Sequence, residues 1–292
     1  MGDKINVAME VIRSSDALRQ RLAGFSTAGR KIGFVPTMGA LHKGHISLIK
    51  HALGENDVVV ASIFVNPTQF NDPKDFDRYP VSTENDIRML DEAGCTLLFL
   101  PAPDEVYPPD APKPVVPDLG KLDRVMEGQF RPGHFSGVAM VLERFFSLVQ
   151  PHQAYFGEKD YQQLMVVKHL AALRFPDLTI RPVPTMREKD GLAMSSRNLL
   201  LTPEDRRNAS FIPAFLHTLP NEMATKTPAE LKATASQYFA NHGIQLEYLE
   251  FADGVTLQPI HSWNDSSDPR AFIAAYAGKV RLIDNVSLNP KE

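Results

Sequence analysis

Two histidines stand three residues apart where an apolar strand gives way to a helix, in the run Gly33-Phe34-Val35-Pro36-Thr37-Met38-Gly39-Ala40-Leu41-His42-Lys43-Gly44-His45. Lys31 to Val35 reads as strand, a glycine-containing turn follows, and Ile46, Ile49 and Leu53 make the apolar face of the helix that His42 to His45 opens. The first amides of such a helix have no intrahelical partner and its dipole favours an anion, so a nucleotide phosphate is expected here. Gly44 would let a phosphate close to the backbone, and the two imidazoles add N–H donors. Two histidines near a turn are also common as surface or capping residues, so the motif draws its weight from its surroundings. A metal centre is disfavoured, because no Glu or Cys at ligand spacing accompanies the pair and H-E-x-x-H is absent.

The same alternation continues downstream. Val58 to Val65 reads as strand, a helix is expected from about Thr83 to Ala93 with Thr83 and Asp86 as a capping box, and Thr96 to Leu100 is the next strand. After an irregular, proline-rich excursion from Pro101 to Pro117, a buried helix carries Val138, Val141, Leu142, Phe145, Leu148 and Val149 at helical spacing. Ala154 to Gly157 is a short strand, a helix spans about Asp160 to Arg174, and Thr179 to Val183 is a further strand. Strands alternating with helices imply an α/β fold, a Rossmann-like parallel sheet with helices on its faces and ligands at the carboxyl ends of the strands. The pattern changes near Thr185, so two domains are expected, residues 1–185 and 186–292. In the second, smaller α+β domain, helices start at Thr202-Pro203-Glu204 and Thr227-Pro228-Ala229-Glu230, and strands are expected near Gln245 to Phe251, Ala271 to Tyr276 and Val280 to Asp284.

A formal net charge of −4 with no basic run argues against nucleic-acid binding as the general business of the chain. Cys95 is the only cysteine, which excludes an intrachain disulfide and suits a reducing compartment; beside Leu97-Leu98-Phe99-Leu100 it reads as a buried small residue. With no secretory pattern at the start and no apolar segment of spanning length, a cytoplasmic protein is expected, without a membrane partner.

Further polar groups fall at strand ends. Gly157-Glu158-Lys159-Asp160 sits at a second strand-to-helix junction, where Lys159 offers a movable positive charge and Asp160 either caps the helix or orients Lys159 or a metal ion. Met194-Ser195-Ser196-Arg197 follows a polar loop and supplies two hydroxyls and a guanidinium suited to phosphate oxygens. Gln69, in Asn66-Pro67-Thr68-Gln69-Phe70, and Gln163 have amides that can both donate to and accept from a small hydroxy acid or amino acid; their bland role is exposed polarity. No G-x-S-x-G elbow and no Walker A loop is present, which leaves covalent nucleophilic catalysis and P-loop chemistry without support.

Taken together, the block from Val35 to His45, Phe64 to Phe70, Arg131-Pro132-Gly133-His134-Phe135, Gly157 to Gln163 and Met194 to Asn198 closely resembles the pantothenate synthetase (pantoate–β-alanine ligase) family. The ending Gly278 to Asn285 is similar too, with Val280 where Thr is expected; residues 211–268 are the least typical. The resemblance implies a homodimeric H-x-G-H nucleotidyltransferase that joins (R)-pantoate to β-alanine at the expense of ATP and with Mg²⁺, through a pantoyl adenylate, releasing AMP and pyrophosphate. It implies ATP contacts at Met38, Gly39, Ala40, Leu41, His42, Lys43, Gly44, His45, Gly157, Glu158, Lys159, Asp160, Met186, Met194, Ser195, Ser196 and Arg197. Pantoate falls to Gln69, Gln163 and Met38, and β-alanine to Gln69 and Asn66. His45 is implied as proton donor, with His42, Lys159 and Arg197 as the other catalytic groups. Two rival readings remain: a transferase of the same motif that passes the nucleotide to a phosphate, and a nucleotide-binding module without turnover.

Overall fold

The computed structural model describes residues 8–71, 76–110, 115 and 117–289. The chain divides into two compact units: residues up to Leu119 with Arg131–Glu158 and Gln163–Pro184, and Gly120–Phe130 with Lys159–Gln162 and Thr185–Glu292. This division differs from a single cut at 185/186 in Thr185 and in two short segments, 120–130 and 159–162, all of which belong to the second unit.

In chain order the elements are β1 (Glu10–Ile12), α1 (Ser15–Thr27), β2 (Ile32–Thr37), α2 (Lys43–Glu55), β3 (Val58–Ile63), α3 (Thr83–Glu92), β4 (Leu97–Phe99), α4 (Pro103–Val106), α5 (Glu127–Phe130), α6 (His134–Val149), β5 (Gln153–Gly157), α7 (Tyr161–Arg174) and β6 (Thr179–Val183). The six strands form one parallel sheet in the order β1-β4-β3-β2-β5-β6. All six residues of β3 are buried, the continuous apolar run that a strand covered on both faces requires. The order reverses between β2 and β5. The chain leaving β2 enters the H-x-G-H run and the chain leaving β5 enters Glu158-Lys159, so both junctions lie where open parallel sheets bind their ligands.

Helix α6 starts at His134, one turn ahead of the expected apolar stripe, because His134, Phe135 and Gly137 are buried as well. Phe34 of β2 meets Phe145 and Phe146 edge-on, with ring centroids 5.9 and 6.3 Å apart. Each such buried phenyl contributes roughly 1.5–3 kcal/mol. Two expectations need correction, and two elements are new. The structure adds β1 and α1, which the sequence pattern hides, since β1 has three residues and α1 buries only Ser15, Leu18 and Leu22. The Thr83–Asp86 capping box does not form: Ser82 is the N-cap, without a side-chain cap bond, and Asp86 serves another loop. The stretch 101–117 is not wholly irregular, because it holds α4; its residues 111–114 and 116 lie outside the described residues.

The second unit adds α8 (Pro203–Ala209), α9 (Phe211–Glu222), α10 (Pro228–Asn241) and an antiparallel sheet of β7 (Ile244–Asp253), β8 (Pro269–Ala277) and β9 (Val280–Ser287), in the order β7-β8-β9. Thr227 and Glu230 close a capping box on α10, and Thr202 caps α8 through the amide of Asp205. Phe215, Phe239 and Phe251 anchor the core. Segment 120–130 is tied to the sheet by charge: Arg281 donates to both carboxylate oxygens of Glu127, at 2.8 and 2.7 Å, and to Glu247 at 2.5 Å. Burial works against the Arg281 charge, but the two carboxylates outweigh it and hold its pKa above the usual range. Burial and the Glu127 charge together raise the Tyr248 hydroxyl, which donates to Glu127 at 2.8 Å. Among the described residues, no helix is long and apolar enough to cross a membrane.

Candidate active site

The loop after β2 is held by hydrogen bonds from its own strand, from β3 and from α3. Thr37 donates to the carbonyl of Ser62 at 2.7 Å and accepts the amide of Gly39 at 3.2 Å. Gly39 and Ala40 both take positive φ, 82° and 48°, and only the first is a glycine. A Cβ at Gly39 would stand 3.1 Å from both Asp86 Oδ2 and Ile63. The Asp86 carboxylate, on α3, accepts the amides of Ala40 and Leu41, each at 2.8 Å, and the hydroxyl of Ser82 at 2.8 Å.

The histidines take over the helix start. His42 is the N-cap of α2, and its Nδ1 accepts the amide of Gly44 at 3.1 Å; His45 Nδ1 reaches back to accept the amide of His42 at 3.3 Å. Their ring centroids lie 4.1 Å apart. This is a capping box made of imidazoles. An Nδ1 that accepts a backbone N–H leaves the proton of the neutral ring on Nε2. The amides of Ala40, Leu41, His42 and Gly44, expected to face an anion, are therefore engaged within the protein, and in the neutral rings the imidazole N–H falls on Nε2. Lys43, the first residue of α2, is exposed.

Beside this loop, still in the first unit, the 3₁₀ turn Pro67–Gln69 brings Gln69 against Met38, with Nε2 2.6 Å from the sulfur. Gln69 is 7% exposed, which rules out surface polarity as its role. Asn66 donates to Gln69 Oε1 at 3.3 Å and to the carbonyl of Gly137 at 3.0 Å, while its own oxygen accepts from Thr68 Oγ1 and Tyr107, each at 2.9 Å. Burial pushes the Tyr107 hydroxyl above its ordinary pKa, so it stays a donor. His134 Nδ1 lies 2.8 Å from the Gln69 carbonyl and Arg131 lies 3.2 Å from His134 Nε2. A guanidinium only donates, so Nε2 accepts and the His134 proton sits on Nδ1, aimed at Gln69. Gly137 lets α6 approach: a Cβ there would fall 2.3 Å from the Thr68 carbonyl oxygen.

Gln163 is half-buried on α7, whereas its neighbour Gln162 is buried and structural, donating to the carbonyls of Leu122 and Val125 at 2.7 and 2.8 Å and accepting the amide of Glu127 at 3.0 Å. Gly157 ends β5, and Glu158 begins a 3₁₀ turn that runs to Asp160. The Lys159 ammonium lies 3.5 Å from the half-exposed Asp160 carboxylate.

The remaining sequence candidates belong to the second unit. Residues 186–194 fold into a small hairpin, with Met194 donating to the carbonyl of Met186 at 2.9 Å and an Arg187–Ala193 bridge. Met186 is exposed. Ser195 then caps the 3₁₀ turn Ser196–Leu200 by accepting the amide of Arg197 at 3.3 Å, and Ser196 is buried. Cys95 stands apart from all of this: burial pushes its thiol up to about 12, so it stays protonated and inert.

Sequence reasoning gives Asp86, His134 and Gly137 no role at the site. Arg131 to Phe135 stands out in sequence only as a block without a task, and the glycine three residues after a histidine at a helix start is the one further signal.

A family model described as Pantoate-beta-alanine ligase matches residues 10–287. The chain belongs to the pantoate–beta-alanine ligase family. Pantothenate synthetases of Bacteroides fragilis and Porphyromonas gingivalis are 44% and 45% identical to it over 279 residues, 95% of this chain and 98% and 99% of theirs. The fold agrees with that of pantothenate synthetase from Thermus thermophilus, at a TM-score of 0.89 and 40% identity over 97% of this chain and 100% of the other. It also agrees with a pantoate-beta-alanine ligase from Francisella tularensis, solved with a β,γ-ATP compound and β-alanine, at 0.81 and 38% over 96% and 98%. The activity of this ligase is the ATP-dependent joining of pantoate to β-alanine.

Proposed function

We propose that the reaction runs in two steps through pantoyl adenylate and that the residues described above carry it. The pantoate carboxylate attacks the α-phosphorus of ATP and expels pyrophosphate; the β-alanine amine then attacks the activated carbonyl and expels AMP. Charge builds on phosphate oxygens in the first step, so the protein's task is to supply fixed donors and cations. His42 and His45 offer Nε2–H groups from a helix start already closed by their own Nδ1 atoms, with His45 as the proton donor. Lys159 and Arg197 neutralise the triphosphate, Met38 to His45, Gly157 to Asp160, Met186 and Met194 to Arg197 contact the nucleotide, and Ser195 and Ser196 donate to its oxygens.

Gln69 and Gln163 hold pantoate, with Met38 against it, and Gln69 also faces β-alanine beside Asn66. The bonds that Asn66 makes on both sides of its amide fit it to orient Gln69. The apolar surroundings of Met38 and Val138 would keep water from the adenylate.

Mg²⁺ fits this arrangement as a companion of the triphosphate. Among the described residues there is no group of three or more His, Cys, Asp or Glu side chains able to hold a metal, and Asp160 is a half-exposed hard oxygen donor next to Lys159. The ion would supply charge neutralisation on the phosphates. We further place the ligase in the cytoplasm as a homodimer, in line with its single buried thiol and with the family resemblance.

The observation that supports the mechanism is the paired use of Nδ1 in both histidines, which in the neutral rings leaves the N–H on Nε2. The test is exchange of labelled pyrophosphate into ATP with Mg²⁺ and pantoate but no β-alanine. Exchange is expected to depend on pantoate; exchange without pantoate, or only with a phosphorylated acceptor, overturns the adenylate route.

A further inference from the structure

Near the end of β9 stand two adjacent residues that the reaction above does not use, Asp284 and Asn285, 4% and 6% exposed. Consecutive side chains of a strand point to opposite faces of the sheet, so one backbone position can hold two separate segments. Asp284 takes the guanidinium of Arg187 with both oxygens, at 2.6 and 3.0 Å, and Arg187 also donates to the carbonyl of Gly191 at 3.0 Å, closing the 186–194 hairpin that feeds Met194 to Arg197. Asn285 donates through Nδ2 to the backbone carbonyl of Lys159 at 2.9 Å and accepts from Arg270 at 2.9 Å. Arg270 in turn lies over the ring of Tyr161, 3.8 Å from its centroid, so residues 159 and 161 are both gripped from the sheet.

We infer that Asp284 and Asn285 are positioning residues for adenylation, setting the Lys159 backbone and the segment ending at Arg197 relative to each other from one stiff dipeptide. The inference rests on the assignment of Lys159 and Arg197 to the triphosphate. Neither Asp284 nor Asn285 needs to touch substrate. Each acts through a segment that carries one of the two cations, and these segments lie outside the regular ladders and need such anchors to hold a set position. A misplacement of about 1 Å suffices to lose rate on the order of 10²-fold even when the altered residue is remote from the chemistry.

The decisive variant is Asn285→Asp, which keeps the shape and the acceptor for Arg270 but sets a carboxylate oxygen against the Lys159 carbonyl. Pantoate-dependent pyrophosphate exchange is measured for the full chain, with kcat and the KM values of ATP and pantoate separated, alongside a thermal melt. The expected result is a loss of roughly 10-fold to 10²-fold in kcat/KM for ATP with the pantoate KM and the melt little changed. On a Lys159→Ala background the same substitution should add almost nothing, because it acts through Lys159. If Asn285→Asp melts early, Asn285→Ala, which removes the donor without the repulsion, is read in the same way. Normal exchange by both variants, loss that tracks only the unfolded fraction, or losses that multiply fully with Lys159→Ala overturn the inference. A Lys159→Ala enzyme that adenylates normally removes the site assignment and the inference with it; a defective Lys159→Ala beside a normal Asn285→Asp removes the inference alone.

Discussion

Asp86 holds Ala40 in the left-handed region of backbone space: the Ala40 amide donates to its carboxylate at 2.8 Å while φ stands at 48°. For a residue with a Cβ that conformation costs roughly 1–2 kcal/mol. A hydrogen bond to a charged group contributes about 1.5–3 kcal/mol, and Asp86 accepts two such amides, so the loop that presents the histidines is shaped by a buried acid on another helix. Asp86→Asn keeps the volume but turns an amide NH₂ toward one of the two N–H groups. The expected result is a destabilisation of about 1–3 kcal/mol in denaturant titration, together with a raised KM for ATP. Unchanged stability and unchanged KM would show that the loop keeps its form without the charge.

His45→Asn and His42→Asn separate the two jobs of each imidazole. Asparagine can still accept a backbone N–H, so the cap should lose no more than about 1 kcal/mol. The Nε2 donor is gone, and one preorganised donor to developing negative charge is worth roughly 10²–10³ in rate. Single-turnover adenylation should therefore fall far more than the melting temperature. Variants that fail only because they unfold would assign the histidines to structure alone.

The alternation of strand and helix in the first unit is readable because β2, β3 and the helices after them carry unbroken periodic patterns, and the family blocks fall on the loops between them. The supports of those loops are not readable. Asp86 looks in sequence like one half of a capping box three residues from Thr83; only the fold brings Ala40, forty-six positions earlier, to its carboxylate. Gln162 and Gln163 are neighbours of one type, and nothing in the chain says which is buried against the 122–127 segment. β1 and α1 escape for want of apolar residues, since a three-residue edge strand and a helix with two buried leucines leave little periodicity to detect.

Gly137 sets how close α6 comes to the Gln69 turn. Gly137→Ala would force a methyl to 2.3 Å from the Thr68 carbonyl and 2.6 Å from Gln69 Cα, both backbone atoms that cannot rotate away. Overpacking of this kind costs roughly 1–3 kcal/mol, and the displaced turn should raise the KM for pantoate while leaving that for ATP nearer normal. Equal changes in both would point to general loosening instead.

Asp190 offers a stability change with a defined pH sign. Its hydrogen bonds with Arg206, at 2.6 and 3.1 Å, hold its pKa below the ordinary 3.8. A depressed carboxyl stabilises the fold above the unfolded-state pKa and loses that contribution as the pH falls through the folded one. The stability gap between the parent chain and Asp190→Asn should be present at neutral pH and close once the pH is well below 3.8. The pair is more than a third exposed on the acid side, so the gap should be small and should shrink with salt. A gap that widened in acid would contradict the pairing.

Gln69→Ala and Gln163→Ala should fail in different half-reactions. Gln69 is buried, held by Asn66 and Met38 on its side chain and by His134 on its carbonyl, and is assigned to both substrates; Gln163 is half-buried and assigned to pantoate alone. An unpaired buried group costs about 1–3 kcal/mol, so each loss should be about tenfold or more. Pyrophosphate exchange reads the first step, and β-alanine attack on preformed pantoyl adenylate reads the second. Gln163→Ala should raise the pantoate KM in the first and leave the β-alanine dependence of the second nearly intact, whereas Gln69→Ala should impair both. Because Gln69 also fills space against Met38, its melt must be taken beside the rates, and Gln69→Glu, which keeps the volume but brings a negative charge toward two carboxylate substrates, should be slower still. A Gln69→Ala enzyme with normal affinities in both steps would show that the two substrates do not share this residue.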